Sequence, residues 1–194
     1  MRAKRCVRVG TRLILLLIVT VTALLAPPPH LFAADAAPPA ADATVPTVGR
    51  AWPVGLHPRV LRGWEPPATA YGPGHRGVDL AAAPGTPVRT VASGRVSFAG
   101  RVAGKGVVSV ELTGTGDPPL RTTYEPVTAT VKEGEEVEPG EVIGTVDAAG
   151  SHCTVTCVHW GLRRGETYLN PLSLLPPWLL HRGPSRLLPL YGAT

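Results

Sequence analysis

Val107-Val108-Ser109-Val110-Glu111-Leu112 and Arg121-Thr122-Thr123-Tyr124 flank Gly114-Thr115-Gly116-Asp117-Pro118. β-branched residues in short alternating runs suit a pleated, half-buried surface. The Gly/Asp/Pro cluster between them reads as a hairpin-type turn. Working outward, similar runs recur at 87–91, 94–98, 127–131, 142–146 and 157–162, each cut by Gly or Pro within a few residues. No window carries a long helical period with caps. The pattern predicts an all-β, compact antiparallel domain.

The ends of the chain differ from this middle. Arg2, Lys4, Arg5, Arg8 and Arg12 precede an uncharged, largely apolar run at 13–25, and small residues follow around Ala33-Ala34. Basic, apolar and small-residue segments in that order predict a secretory signal peptide over 1–34. The run is short for a membrane span, which needs about 20 residues. Membrane contact is therefore expected only through this segment, if it stays uncleaved. Residues 35–50 are Ala/Pro/Thr-rich and read as a linker. The folded domain is expected over 51–175, with a Pro/Leu-rich tail over 176–194.

Charge follows the same division. Five of the 19 basic residues precede Asp35, whereas all 14 acidic residues lie at or beyond it. Without the leader the chain is neutral, so the +5 charge is no nucleic-acid surface, and nucleic acid is excluded as a partner. Arginine outnumbers lysine, 16 to 3, which fits a GC-rich bacterial gene. Cys6 lies before the apolar run and receives no role. Export favours oxidation, so Cys153 and Cys157 are expected to form a disulfide. A reduced Cys157 acting as a metal ligand stays open as the alternative.

His75 and Asp79 are four residues apart in Gly74-His75-Arg76-Gly77-Val78-Asp79. His159 follows 80 residues after Asp79 in Cys157-Val158-His159-Trp160. Two imidazoles and a carboxylate are a ligand set that catalytic zinc takes, with water in the fourth position. No local spacing rule links His159 to the first pair. His152, in the loop beside the cysteines, could approach the metal, with plain exposure the favoured reading; Trp160 reads as core, and Arg163 with Arg164 as a solvated turn or a carboxylate-binding pair.

The ordered motifs supply the missing link. Gly74 to Leu80, Pro84-Gly85-Thr86-Pro87-Val88, Gly94-Arg95-Val96, the Gly-punctuated stretch 131–144 and Cys157-Val158-His159-Trp160 resemble the lysostaphin-type, LytM-like peptidoglycan metalloendopeptidases over 52–175. The resemblance implies a barrel-sandwich-like β fold with a groove on one sheet face. It implies zinc as cofactor, held by His75, Asp79 and His159. It further implies secretion or a wall-associated location, peptidoglycan as partner, and a second wall hydrolase as a further partner.

The sequence departs from the family at two positions. The family places a histidine after Tyr-x, where this chain has Tyr124-Glu125-Pro126, and another at the first position of His-x-His, where it has Cys157. A general base contributes about 10²–10⁴-fold, and an oxyanion-stabilising donor about 10²–10³-fold. Hydrolysis is therefore expected to be impaired, and a degenerate module that binds wall or regulates another hydrolase is the alternative. Glu125 is the candidate replacement base. As the neighbour of position 126 on a strand, it is expected to need a bulge to reach the metal. A carrier domain of the biotinyl or lipoyl type, suggested by the Gly-punctuated stretch, lacks a suitably placed lysine, since only Lys105 and Lys132 follow the leader.

Overall fold

The computed structural model describes residues 45–181, apart from Ala70. The expected signal peptide, most of the linker and the end of the tail lie outside the described residues. Among the described residues, no helix is long and apolar enough to cross a membrane.

Eleven strands carry the fold: β1 Val60–Arg62, β2 Gly77–Ala81, β3 Pro87–Arg89, β4 Gly94–Val102, β5 Lys105–Leu112, β6 Leu120–Glu125, β7 Val127–Ala129, β8 Glu136–Val137, β9 Val142–Val146, β10 Cys157–Arg164 and β11 Thr167–Leu169. A 3₁₀ turn, Pro171–Leu174, and a one-turn helix α1, Pro177–Leu180, follow. The seven apolar runs read from the sequence all coincide with strands. β5 and β6 pair antiparallel through the expected turn. β2 adds a strand that the apolar runs did not mark, and it begins at Gly77, inside the stretch that carries His75 and Asp79.

The main sheet runs β1-β2-β10-β6-β5-β4-β8, with β11 on the free part of β10, and a three-stranded sheet runs β3-β9-β7. Alternation divides the main sheet into two faces. Val78, Leu80, Val158, Trp160, Leu162, Leu120, Tyr124, Val108, Val110 and Leu112 are buried on one face. Val88, Val127, Ile143 and Val146 from the second sheet join them in one core. Trp160 is fully buried, donates from Nε1 to Thr122 Oγ1 at 2.7 Å and meets Trp52 edge-on at 6.4 Å. Tyr124 is likewise core: burial pushes its phenol up to about 12, and its hydroxyl accepts from Val91 N–H.

Both margins of the domain reach further than the composition suggested. Gly49 N–H donates to Leu174 O, and Arg50 N–H to Val91 O, so residues 45–50 pack against the domain. Trp52 Nε1 donates to Leu179 O, which seats α1 on the core. Apolar side chains at Val45, Val48 and Leu179 outweigh the Pro/Ala signal in these stretches.

Candidate metal centre

The second face of the main sheet carries the chemistry. Asp79 on β2 is the direct cross-strand partner of His159 on β10, and His159 is the direct partner of Glu125 on β6. Three chemically active residues thus form one row across three adjacent strands. His75 precedes β2 and is fixed by two backbone hydrogen bonds with Glu65.

The donor atoms converge. His75 Nε2 lies 3.1 Å from Asp79 Oδ1 and 3.2 Å from His159 Nδ1, and His159 Nδ1 lies 2.8 Å from Asp79 Oδ1. Gly63 O can only accept, so His75 Nδ1, 2.6 Å away, carries the proton. Nε2 is the ring nitrogen that faces the carboxylate and the one that could take a metal. This is also how a metal-bound imidazole is usually oriented from behind by a carbonyl.

The structure brings a fourth residue here, the loop histidine that the sequence offered as able to approach the metal. His152, from the loop before β10, places Nε2 3.1 Å from Asp79 Oδ2. Its ring meets that of His159 edge-on at 5.7 Å. His152 is an exposed loop residue as expected, and it also approaches the site. The donor atoms of His75, Asp79, His152 and His159 all lie within 4.8 Å of one another. Zinc bonds of about 2.0–2.1 Å in a tetrahedron set donors about 3.3 Å apart, so the set fits a zinc ion. Burial raises the Asp79 carboxyl, but hydrogen bonds from His159 and His152 and the nearby His75 outweigh it and hold the group at about 2. It is therefore a ready anionic ligand.

Gly77 makes room for this arrangement. A Cβ there would come within 2.4 Å of Trp160 O and 2.6 Å of His159 Nε2. The glycine before Val78-Asp79 is thus needed for the approach of β2 to β10.

A cleft of ≈ 540 Å³ runs along the same face, lined among others by Arg121, Thr123, Glu125, His159, Arg163 and Tyr168. Glu125 needs no bulge: the β6–β10 register is regular, and the residue shares the His159 face. The expected obstacle is overturned because the ligand's cross-strand partner is residue 125 rather than 126. The Glu125 carboxylate is engaged by Lys105 Nζ at 2.8 Å. Arg163 lines the cleft, while Arg164 donates to Thr115 O, so strand alternation splits that pair. The Cys153 and Cys157 sulfurs are joined, with Cα atoms 6.1 Å apart. Cys157 Sγ therefore faces the site as part of a bridge.

Comparison with known proteins follows this geometry. The family model described as Peptidase family M23 matches residues 73–171. The chain belongs to peptidase family M23. Rv2891 of Mycobacterium tuberculosis is 43% identical over 129 residues, 64% of this chain and 50% of that protein. Murein hydrolase activator NlpD of Salmonella typhimurium is 30% identical over 103 residues, 53% of this chain and 26% of NlpD. The catalytic domain of the antimicrobial peptidase lysostaphin from Staphylococcus simulans shares the fold with a TM-score of 0.50 at 25% identity, covering 63% of this chain and 92% of that domain. The chain thus spans half or less of the curated relatives' length. Family M23 is zinc-dependent, and this M23 domain presents a donor cluster of matching chemistry.

Proposed function

We propose that the chain is an exported, wall-directed M23 domain that holds zinc through His75, Asp79 and His159 and hydrolyses peptidoglycan peptide bonds only feebly. One observation carries the reading. The two positions where the family places its non-ligand histidines hold Pro126, which has no side-chain donor or acceptor, and Cys157, whose sulfur is tied to Cys153. Zinc, when bound, would polarise a carbonyl and acidify its water. His75, Asp79 and His159 would hold it, with Gly63 O fixing the His75 tautomer. Glu125 is the residue on the groove face that could accept a proton, once released from Lys105. The basic leader followed by an apolar run supports export. The cleft, with Arg163 in its wall, suits a peptide bearing carboxylates.

A second reading has support in the likeness to a murein hydrolase activator. On that reading the domain binds wall and regulates another hydrolase without turnover. Incubating the chain with purified peptidoglycan, and measuring both released peptides and retention on the sediment, separates the two. Slow zinc-dependent release, lost in Glu125→Gln by about 10²-fold, supports the peptidase. Retention with no release supports the binding module. Neither retention nor release would refute both.

A further inference from the structure

We infer that His152 is the fourth ligand of the metal centre and closes it. This rests on the reading of His75, Asp79 and His159 as the zinc triad. A hydrolytic zinc site keeps one position for water, whereas a site with four protein ligands is characteristic of structural zinc. Asp79 has two oxygens and divides them. Oδ1 faces His75 and His159, and Oδ2 faces His152 Nε2 at 3.1 Å. The separations of 2.8–3.2 Å among His75 Nε2, His159 Nδ1 and Asp79 Oδ1 are close to the roughly 3.3 Å edge of a tetrahedron of zinc ligands, and His152 offers its donor within 4.8 Å of the others.

The loop that delivers His152 is anchored at both of its ends. Cys153, the next residue, is bridged to Cys157, whose backbone enters β10 two residues before His159. Ser151 Oγ accepts from the backbone N–H groups of Cys153 and Cys157. The disulfide therefore ties the His152 loop to the strand that carries His159. Cys157 stands where the family has a histidine, and its bridge brings a different histidine to the metal. The consequence is a centre that retains metal but leaves it no free position while the loop is in place. The side chain of His152 is 42% exposed against 3% for Asp79, so this ligand is the one that solvent can reach.

The test loads the full chain with Co(II), alongside His152→Ala and His159→Ala. Affinity is read by competition with a chelator. Coordination is read from the visible absorption with and without acetohydroxamate, a small ligand that requires an open position. His152→Ala should bind Co(II) at least tenfold more weakly, since loss of a merely orienting partner already costs about 10–100-fold. It should also change its spectrum with hydroxamate at concentrations that leave the wild type unaltered. Circular dichroism confirms that the variant is folded. Equal affinity and an equal hydroxamate response in wild type and His152→Ala, with metal lost in His159→Ala, would overturn this inference alone. No specific metal retention by any of the three would overturn the zinc reading together with it.

Discussion

Gly77→Ala tests how closely the site depends on the approach of β2 to β10. Gly77 stands opposite Gly161 in that pairing. The added methyl would lie 2.4 Å from Trp160 O and 2.6 Å from His159 Nε2. Comfortable contacts lie at about 3.5–4.0 Å, so the overlap is about 1 Å on two sides. Neither neighbour can yield freely. The Trp160 carbonyl belongs to a central strand whose indole is fully buried, and His159 is bonded to Asp79. Relief must part the strands or turn the ligand ring. Overpacking of this kind costs about 1–3 kcal/mol. With a urea slope of about 2 kcal/mol/M, the midpoint of the metal-free chain should fall by roughly 1 M. Zinc affinity should fall as well, by at least tenfold, because the ring leaves its ligand position. Gly63→Ala is the control, since a methyl there meets nothing within 4 Å. It should change stability by less than about 0.5 kcal/mol. Urea unfolding followed by tryptophan fluorescence, with chelator competition for zinc, reads both effects. A Gly77→Ala chain with the wild-type midpoint and affinity would refute the claim that this glycine sets the strand separation.

Three further outcomes are expected. Trp160→Phe deletes the donor to Thr122 and the edge contact with Trp52, at about 2–3 kcal/mol; calorimetry should show the melting temperature lowered by about 5–10 °C. The Asp79 carboxyl sits at about 2 against an ordinary 3.8, so its charge stabilises the metal-free fold above about pH 4, and that contribution disappears as pH falls through about 2. Urea midpoints taken from about pH 5 to pH 2 should fall less steeply in Asp79→Asn than in the wild type. Free zinc at about 100 times its Kd stabilises a binding fold by about 2.7 kcal/mol, so a chelator should lower the melting temperature measurably in the wild type and leave His159→Ala unmoved.

The strands were legible because their apolar residues alternate between Gly and Pro stops. β5 and β6 show this best, with Val108 beside Tyr124 and Val110 beside Thr122 on one buried face of the sheet. β2 was harder to read, since its inward residues are only Val78 and Leu80 and a glycine opens it. The triad His75, Asp79 and His159 came from ordered motifs rather than from spacing. The geometry that unites them is a cross-strand pairing of residues 80 apart, which no local pattern encodes. His152 was legible only as a loop histidine able to approach the metal, because a loop carries no periodicity to aim it. Its nearness to the cysteine pair was the available signal, and the bridge to Cys157 is what turns it toward Asp79. Glu125 was assigned to the wrong face because register was counted from residue 126. The sheet counts it from His159.

β10 is the last long strand to leave the ribosome, yet it occupies the middle of the main sheet, between β2 and β6. Its two neighbours can pair with each other's surroundings beforehand but not across the gap it fills. The row Asp79–His159–Glu125 therefore does not exist during most of synthesis, however much of the domain has collapsed. Long-range pairing of this kind is slow to form. On the proposed metal reading, capture would be a late event that reports completion of the sheet, and any C-terminal shortening that removes β10 deletes the site while leaving most of the strands encoded.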